Sequence, residues 1–335
     1  MKYLLPQRER YYKTAMHIHT NVSDGFWSPE ELKACFKEDG FSCVAFSDHN
    51  LIVDHSDLNE EDFLALTSYE MTTKDDNPNG WYSRNIHINV TAKRPDHLWQ
   101  AVRPQWFYKN GEQYMDKVEM PEETFTFSME NFNKFIADSN ANGFFCTYNH
   151  PDSITVGLED EVLTGFWGVE VFNYDAFHCG GTYNDEKFQR MLLRGEKVFP
   201  IISDDCHSKR SFRGSGLWVG AKELTYDAMI EALEKGDFYA TNGPTIQSLT
   251  LDEDMILRVN CSEVMTVSIH SHNNFKQMKP PYCEKSPVTE AEFDLKKWFD
   301  GIGEAHRDKA FIRLVLTDAT GKRAYTRAYW YNELV

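Results

Sequence analysis

Apolar residues along the chain follow two rhythms. Runs such as Phe41-Ser42-Cys43-Val44-Ala45-Phe46, Phe144–Tyr148, Val169–Asn173 and Val198–Ile202 are short and nearly continuous, as in strands buried on both faces. Thr14–His19, Leu64–Ser68 and Ile86–Val90 read as further strands, the last with His87 and Asn89 on one face because strand side chains alternate. Between them lie stretches with apolar residues three and four apart: Leu32, Cys35 and Phe36; Met129, Phe132, Phe135 and Ile136; Met229, Ile230 and Leu233. That spacing predicts amphipathic helices. Ser28-Pro29-Glu30-Glu31 offers a serine cap, a proline suited to the first helical position and a glutamate that completes a capping box, and Gly40 ends this helix. Further helices are expected from about Ser128 to Asn140, from Asn184 to Arg194 before Gly195, and from the cap Thr225 to Gly236. Strands alternating with helices predict an α/β architecture.

Two regions break the rhythm. The connection Lys93–Thr124 is rich in aromatics (Trp99, Trp106, Phe107, Tyr108, Tyr114), which suits either a surface loop with its own aromatic cluster or a lid. Beyond Pro244 no convincing helix is expected until about Glu290. Alternating runs such as Met265–Ile269 and Phe311–Leu316, with Thr320-Gly321-Lys322 as a turn, predict antiparallel strands. The chain is expected to divide into residues 1–244, with 93–124 as an insertion, and a β-sandwich-like appendage over 245–335.

Residue types that bind metals fall where the predicted strands end. His17 and His19 share a strand face and can reach one ion together, with Asp24 in the turn beyond. Asp48-His49-Asn50 follows the next strand, Glu70 the one after, and His87 lies on a strand of its own. Asn149-His150-Pro151 and Asp204-Asp205-Cys206-His207 close two more. In α/β barrels such groups meet because the carboxyl ends of the strands converge on one rim. Imidazoles and carboxylates without thiolates are the ligand chemistry of Zn²⁺, Mn²⁺ or Fe²⁺. The set of His17, His19, Asp24, His49, Glu70, His87, His150, Asp205 and His207 exceeds the needs of one ion and suits two or three that share a carboxylate. Ions about 4 Å apart clamp the attacking and leaving oxygens of a phosphoryl transfer. Metal binding also lowers the pKa of water towards neutrality, so a bridging hydroxide is the expected nucleophile.

Composition narrows the picture. With 335 residues, 41 % hydrophobic and 14 % aromatic, the chain can bury a sizeable core. A formal charge of −17 repels nucleic acid and anionic membranes, so nucleic acid is not an expected partner except as a nucleotide or short oligonucleotide. Seven cysteines without C-x-x-C spacing suit buried free thiols in a reducing compartment. The segment MKYLLPQRERYYK lacks an apolar leader region and no apolar run is long enough for a membrane span, so a cytoplasmic protein is expected. Oligomeric state is not legible.

His17-x-His19, Asp24-Gly25, Ser47-Asp48-His49, a lone Glu70, Asn149-His150-Pro151 and Asp205-x-His207, in that order, resemble the motif series of the PHP (polymerase and histidinol phosphatase) family. The run Tyr239–Pro244 is similar to the end of many bacterial PHP domains, and the β tail resembles that of the subgroup containing carbamate-ester hydrolases. The resemblance spans about residues 12–244. It implies a distorted (β/α)7 barrel with a trinuclear centre on its rim, followed by a small C-terminal β-rich domain. One ion would be held by His17, His19 and Asp205, with Glu70 bridging to a second that His150 and His87 complete. Asp24, His49 and His207 would hold the third. Many family members have a histidine where this chain has Asp24. The harder carboxylate favours Mn²⁺ or Mg²⁺ there, or leaves that position weakly filled. The expected cofactors are two to three divalent ions: Mn, Fe or Zn. His87 is set apart from Glu70 by a polar insertion, Lys74–Asn85.

The expected activity is metal-dependent hydrolysis of a small phosphomonoester or phosphodiester. Glu70, His49 and His207 are the catalytic candidates, Glu70 as the bridging carboxylate and either histidine, where not ligating, as proton donor to the leaving oxygen. Lys209, Arg210, Arg213 and Arg84 supply cations for phosphate, and His178 follows the Glu170 strand as a further candidate substrate contact. Asp48 and Asp204 could orient ligating histidines or cap turns. The β tail motivates an alternative, hydrolysis of carboxyl or carbamate esters or amides by the same centre. A non-catalytic metal- or ligand-binding module is a second alternative. His270-Ser271-His272 repeats the H-x-H pattern without an acidic partner, and with His55, His97 and His306 it is read as structural or exposed.

Overall fold

The computed structural model describes residues 1–75, 84–152, 157–273, 276–281, 287–299 and 302–335. Its first two thirds contain strands β1 (Lys2–Tyr3), β2 (Tyr12–Ala15), β3 (Phe41–Phe46), β4 (Leu64–Asp75), β5 (Arg84–Ala92), β6 (Phe144–Tyr148), β7 (Gly168–Asn173), β8 (Phe199–Ser203), β9 (Gly216–Val219) and β10 (Phe238–Thr241). Helices α1 (Pro29–Glu38), α2 (Met129–Ala141), α3 (Tyr174–His178), α4 (Asp185–Leu193) and α5 (Tyr226–Lys235) lie among them. The expected caps form. Ser28 Oγ accepts from Glu31 N–H while the Glu31 carboxylate accepts from Ser28 N–H at 3.0 Å, and Gly236 ends α5 in the left-handed region.

The strands β2, β3 and β4 pair in parallel, as do β6, β7 and β8. Between these sets β5 runs antiparallel to both β4 and β6. Among the described residues no helix separates β4 from β5. Glu70 and His87 therefore lie on a hairpin whose ladder runs on to Asp75↔Arg84, and residues 76–83 of the polar insertion lie outside the described residues. Because β5 is reversed, its amino-terminal half shares a rim with the carboxyl ends of its neighbours.

The closed (β/α)7 barrel is not found. The free edge of β2 is taken by β9, antiparallel from Tyr12↔Val219 to Thr14↔Leu217, so β8 cannot form a ladder there. An isolated parallel bridge between Ile18 and Cys206 links the two ends, with His19 N–H donating to Cys206 O at 2.9 Å. The architecture is a mixed α/β fold around one large curved sheet with few helices. The strand expected over Thr14–His19 stops at Ala15, and His17 and His19 lie just beyond it.

The tail is strand-rich as expected: β11 (Ile246–Leu251), β12 (Ile256–Val264), β13 (Thr266–Ser271), β14 (Lys276–Lys279), β15 (Val288–Asp294), β16 (Phe311–Thr317), β17 (Arg323–Thr326) and β18 (Tyr329–Trp330), with short helices α6 (Lys296–Phe299) and α7 (Tyr331–Leu334). Where a helix was expected near Glu290, β15 is found. Its apolar residues Ala291 and Phe293 alternate with exposed acidic ones, a period of two. The strands β11, β12 and β15 form a sheet with β1, whereas β13, β14, β16 and β17 continue the large sheet through the β10–β17 pair. Leu249, Leu257 and Val259 from the first sheet pack with Val267, Ile269, Leu314 and Leu316 from the second, and Leu4 and Leu5 join them. The tail thus has two packed layers, one of them shared with the main sheet.

The segment after Lys93 covers one side of the rim. Phe107, Tyr114, Met115, Val118 and Met120 pack on Val22, Leu51 and Val53, which belong to the loops following β2 and β3. Among the described residues no cysteine is in a disulfide, Cys283 lies outside them, and no helix is long and apolar enough to cross a membrane.

Candidate metal centre

All nine expected ligands converge. Glu70, fully buried on β4, sits in the middle: its Oε1 lies 3.3 Å from His17 Nε2, 3.1 Å from His87 Nδ1 and 3.4 Å from His150 Nε2. Its Oε2 lies 3.4 Å from His19 Nε2 and 2.9 Å from His49 Nδ1. Asp205 Oδ1 is 3.2 Å from His17 Nε2 and 3.1 Å from His19 Nε2. Asp24 closes the outer side, with Oδ1 3.5 Å from His207 Nε2 and Oδ2 3.5 Å from His49 Nε2. Ligand atoms gather within 4.8 Å in overlapping sets: His19, Asp24, His49 and His207; His17, His19 and Glu70; His17, His150 and Asp205; His49, Glu70 and His87.

Backbone geometry brings these side chains inward. Ile18 and Cys206 point away from the cluster, into a core with Phe36 and Phe46, while their neighbours on both sides face it. Asn50, His150 and Asp205 have positive φ (64°, 23° and 52°). Each bends the chain sharply at the end of a strand, a strained geometry that the surrounding hydrogen bonds hold. Gly25 is required by contact: a Cβ there would lie 2.3 Å from His19 O.

Neighbouring groups orient the imidazoles. The Glu170 carboxylate accepts from His17 Nδ1–H at 2.8 Å, from His150 N–H at 2.7 Å and from Asn173 Nδ2–H at 2.9 Å. That fixes the His17 tautomer and leaves Nε2 for the cluster. His207 Nδ1–H donates to Asp205 O at 2.9 Å, which aims its Nε2 at Asp24. Asn149 Nδ2–H donates to Glu70 Oε1 at 2.7 Å. Glu170 was not expected at the site, although a lone carboxylate inside the apolar run Val169–Phe172 was the signal for it, since a buried charge needs a purpose. Asp175 was also missed; it joins Asp205 and His207 in a further ligand set. Tyr108, expected only as part of an aromatic loop, donates its O–H to Asp24 Oδ2 at 3.2 Å and stacks on His49 at 5.8 Å. Asp48 and Asp204 cap turns: Asp48 accepts from Thr20 and Ser23, and Asp204 from the N–H groups of Arg213, Gly214 and Ser215.

The candidate phosphate contacts are not brought into the cluster. Arg84 is committed to Asp75 and lies over Phe127, because the β4–β5 hairpin pairs their backbones. Lys209 and Arg210 are exposed, as is His178, which stacks on Tyr174. Arg213 is exposed and lies over the Tyr174 ring at 4.6 Å. The decoys are elsewhere: His270 lies on β13, and His55 is buried against Phe46.

Charge is balanced within the cluster. Burial disfavours ionised Glu70 and Asp205, but the imidazoles around them outweigh it and hold both carboxyls well below the usual range. Burial also opposes charge on His49, yet Glu70 and Asp24 lift it to about 10. His17 and His150 are raised against burial by Asp205, Glu70 and Glu170. His19 is pushed down to about 4 by burial and by His207 and His49, and burial lowers His87.

This donor set fits divalent ions. Asp205 Oδ1, Glu70 Oε2 and His87 Nε2 are buried without a hydrogen-bond partner among the described residues, and His17 and His19 turn their Nε2 atoms to within 3.1 Å of each other. Cations bound between such atoms would replace the protons that now balance the carboxylates. Asp24 and His207 are the most exposed of the nine, 34 % and 25 % at the side chain.

No protein-family model and no curated protein matches the chain. Among solved structures it is similar to a two-domain protein from Bacteroides vulgatus containing a predicted PHP-like metal-dependent phosphoesterase, at 16 % identity over 98 % of both chains with a TM-score of 0.43. It is also similar to a candidate metal-dependent phosphoesterase from Bifidobacterium adolescentis, at 16 % identity over 67 % of this chain and 96 % of that one, TM-score 0.41. An amidohydrolase from Chromobacterium violaceum with bound sulfate and no metal matches at 12 % identity over 68 % of this chain and 97 % of that one, TM-score 0.41.

Proposed function

We propose that the chain is a metal-dependent hydrolase of the PHP kind that cleaves a small phosphomonoester or phosphodiester, in the cytoplasm. The observation that carries this reading is the convergence of buried imidazoles and carboxylates on Glu70, in overlapping sets that suit more than one ion. Divalent ions held there supply Lewis acidity to the ester oxygens and a lowered pKa to water. His17, His19 and Asp205 would hold one ion and His87 and His150 a second, with Glu70 between them. Asp24, His49 and His207 would hold a third, Mn²⁺ or Mg²⁺ suiting Asp24. Glu170 keeps the His17 tautomer that presents Nε2 inward. His207, partly exposed with Nε2 towards Asp24, would pass a proton to the leaving oxygen when it is not ligating.

The test is a comparison of substrate classes on protein loaded separately with Mn²⁺, Fe²⁺ and Zn²⁺. Hydrolysis of phosphoesters, lost by about 100-fold or more in His17→Ala, is the expected result. Turnover confined to carboxyl or carbamate esters would transfer the centre to the alternative chemistry. Retained ions with no turnover of either class would leave only a binding module.

A further inference from the structure

Beside the cluster is a cavity of about 270 Å³, between α3 and the turn that joins β16 to β17. Its walls are within one residue of the centre at three points. Asn173, between Phe172 and Tyr174 of the cavity wall, donates to Asp205 Oδ2 at 3.2 Å. Asp175, which follows Tyr174, belongs to a ligand set with Asp205 and His207. Arg213 N–H donates to Asp204, the residue before Asp205.

The lining combines two chemistries. Phe172, Tyr174, Phe177 and Tyr183 are aromatic, and Arg213 and Lys322 are cationic. In a chain of net charge −17, neither cation has a carboxylate in ion-pair reach among the described residues. Arg213 is propped on the Tyr174 ring and donates to Phe212 O at 2.6 Å. The stem of Lys322 rests on Gly243, where a Cβ would lie 2.8 Å from Lys322 Cβ, so the absent side chain makes room for it. Asp318, the nearest acid along the turn, spends one carboxylate oxygen on Thr320 N–H and Lys322 N–H at 2.7 and 3.0 Å. Asn242 and Tyr183 are likewise anchored, Asn242 Nδ2–H donating to Tyr183 Oη at 2.9 Å and Tyr183 O–H to Gly321 O at 3.2 Å. A cavity of about 150 Å³ holds benzene, so this one has space for a substituted ring. Aromatic walls favour such a ring, and unpaired cations at the wall favour an anion.

We propose that this cavity binds the organic part of the substrate, and that this part is a ring carrying an acidic group of its own. The substrate class then becomes an ester of a ring-bearing organic acid, and the tail acquires a function, since its β16–β17 turn supplies Lys322. The proposal rests on the hydrolase reading for the word substrate, but the binding it asserts does not require metal.

The experiment is titration of 4-hydroxybenzoate, acetate and benzyl alcohol into the chelated protein, followed by ligand-observed NMR. Saturable binding of 4-hydroxybenzoate is expected, with acetate and benzyl alcohol each about tenfold weaker or worse, and a similar loss in Lys322→Ala and in Phe177→Ala. Both variants alter exposed side chains, so they keep the fold. In the metal-loaded protein the same variants should raise KM for 4-carboxyphenyl phosphate more than for methyl phosphate, with kcat little changed. No saturable binding of 4-hydroxybenzoate, or binding indifferent to both variants, would overturn the proposal and leave the hydrolase reading standing. Intact binding with no hydrolysis in any metal would sink the hydrolase reading instead.

Discussion

At the scale of single residues, the unusual feature is how much of the site depends on hydrogen bonds from groups that are not ligands. Tyr108 is the clearest case. Its hydroxyl holds Asp24 Oδ2 while its ring stacks on His49, so it orients two members of the outer ligand set. Replacing Tyr108 by Phe keeps the stacking and removes the hydrogen bond. About tenfold weaker retention of the outermost ion is expected, read by metal titration; unchanged retention would show that Asp24 is held by its imidazole neighbours alone. The histidines predict a pH effect. His49 is raised to about 10 from the ordinary 6.5, and His17 and His150 are raised with it. Between those values these three histidines hold more protons in the folded metal-free protein than in the unfolded chain, so the stability they contribute is full below about 6.5 and falls as pH rises towards about 10. Melting temperature of chelated protein should therefore drop between pH 6.5 and 9.5, and loaded protein should lose less, because ions replace the protons. The candidate ligands were legible in the sequence because all but Asp24 sit on or just beyond a short apolar run, and Asp24 follows the His17-x-His19 pair in the next turn. Glu170 and Tyr108 were not recognised, one hidden inside such a run and the other in a segment without periodicity.

At the scale of elements, turns and strand ends do the positioning. Gly25 packs against the carbonyl of His19 with no room for a methyl group. Gly25→Ala should destabilise the fold by about 1–3 kcal/mol and should reduce metal retention in the fraction that folds, as measured by denaturant unfolding and metal content. Wild-type behaviour in both would mean that the Asp24 loop is free to move. Helices were the most legible elements: the Ser28–Glu31 box and the Thr225 and Gly236 boundaries appear where the residues placed them. Strand direction was less so. The reversal of β5 leaves no mark in its own apolar pattern, which reads the same in either direction. It follows from the length of the polar insertion: residues 76–83, between the paired Asp75 and Arg84, are too few for the crossover that a parallel neighbour needs.

At the scale of the whole molecule, the two ends of the chain fold together. β1 pairs with β11, and Leu4 and Leu5 are buried with tail residues such as Leu249 and Leu314. Leu5→Ala is expected to cost about 2–5 kcal/mol in a denaturant melt, against almost nothing if the tail were stable without the first residues. This coupling could not be read from a two-residue strand at the start of the sequence. Nor could the absence of a closed barrel, since β9, which occupies that edge, is a four-residue run with no chemistry to mark it.

The central claim is that the buried cluster holds several divalent ions, and elemental analysis of protein purified without chelator, beside Asp205→Asn, tests it most directly. About two to three equivalents of Mn, Fe or Zn are expected, with a loss of at least about one in the variant. Less than about half an equivalent in both, unchanged by added metal, would contradict the account, since ligands converging on Glu70 at this density would bind ions tightly.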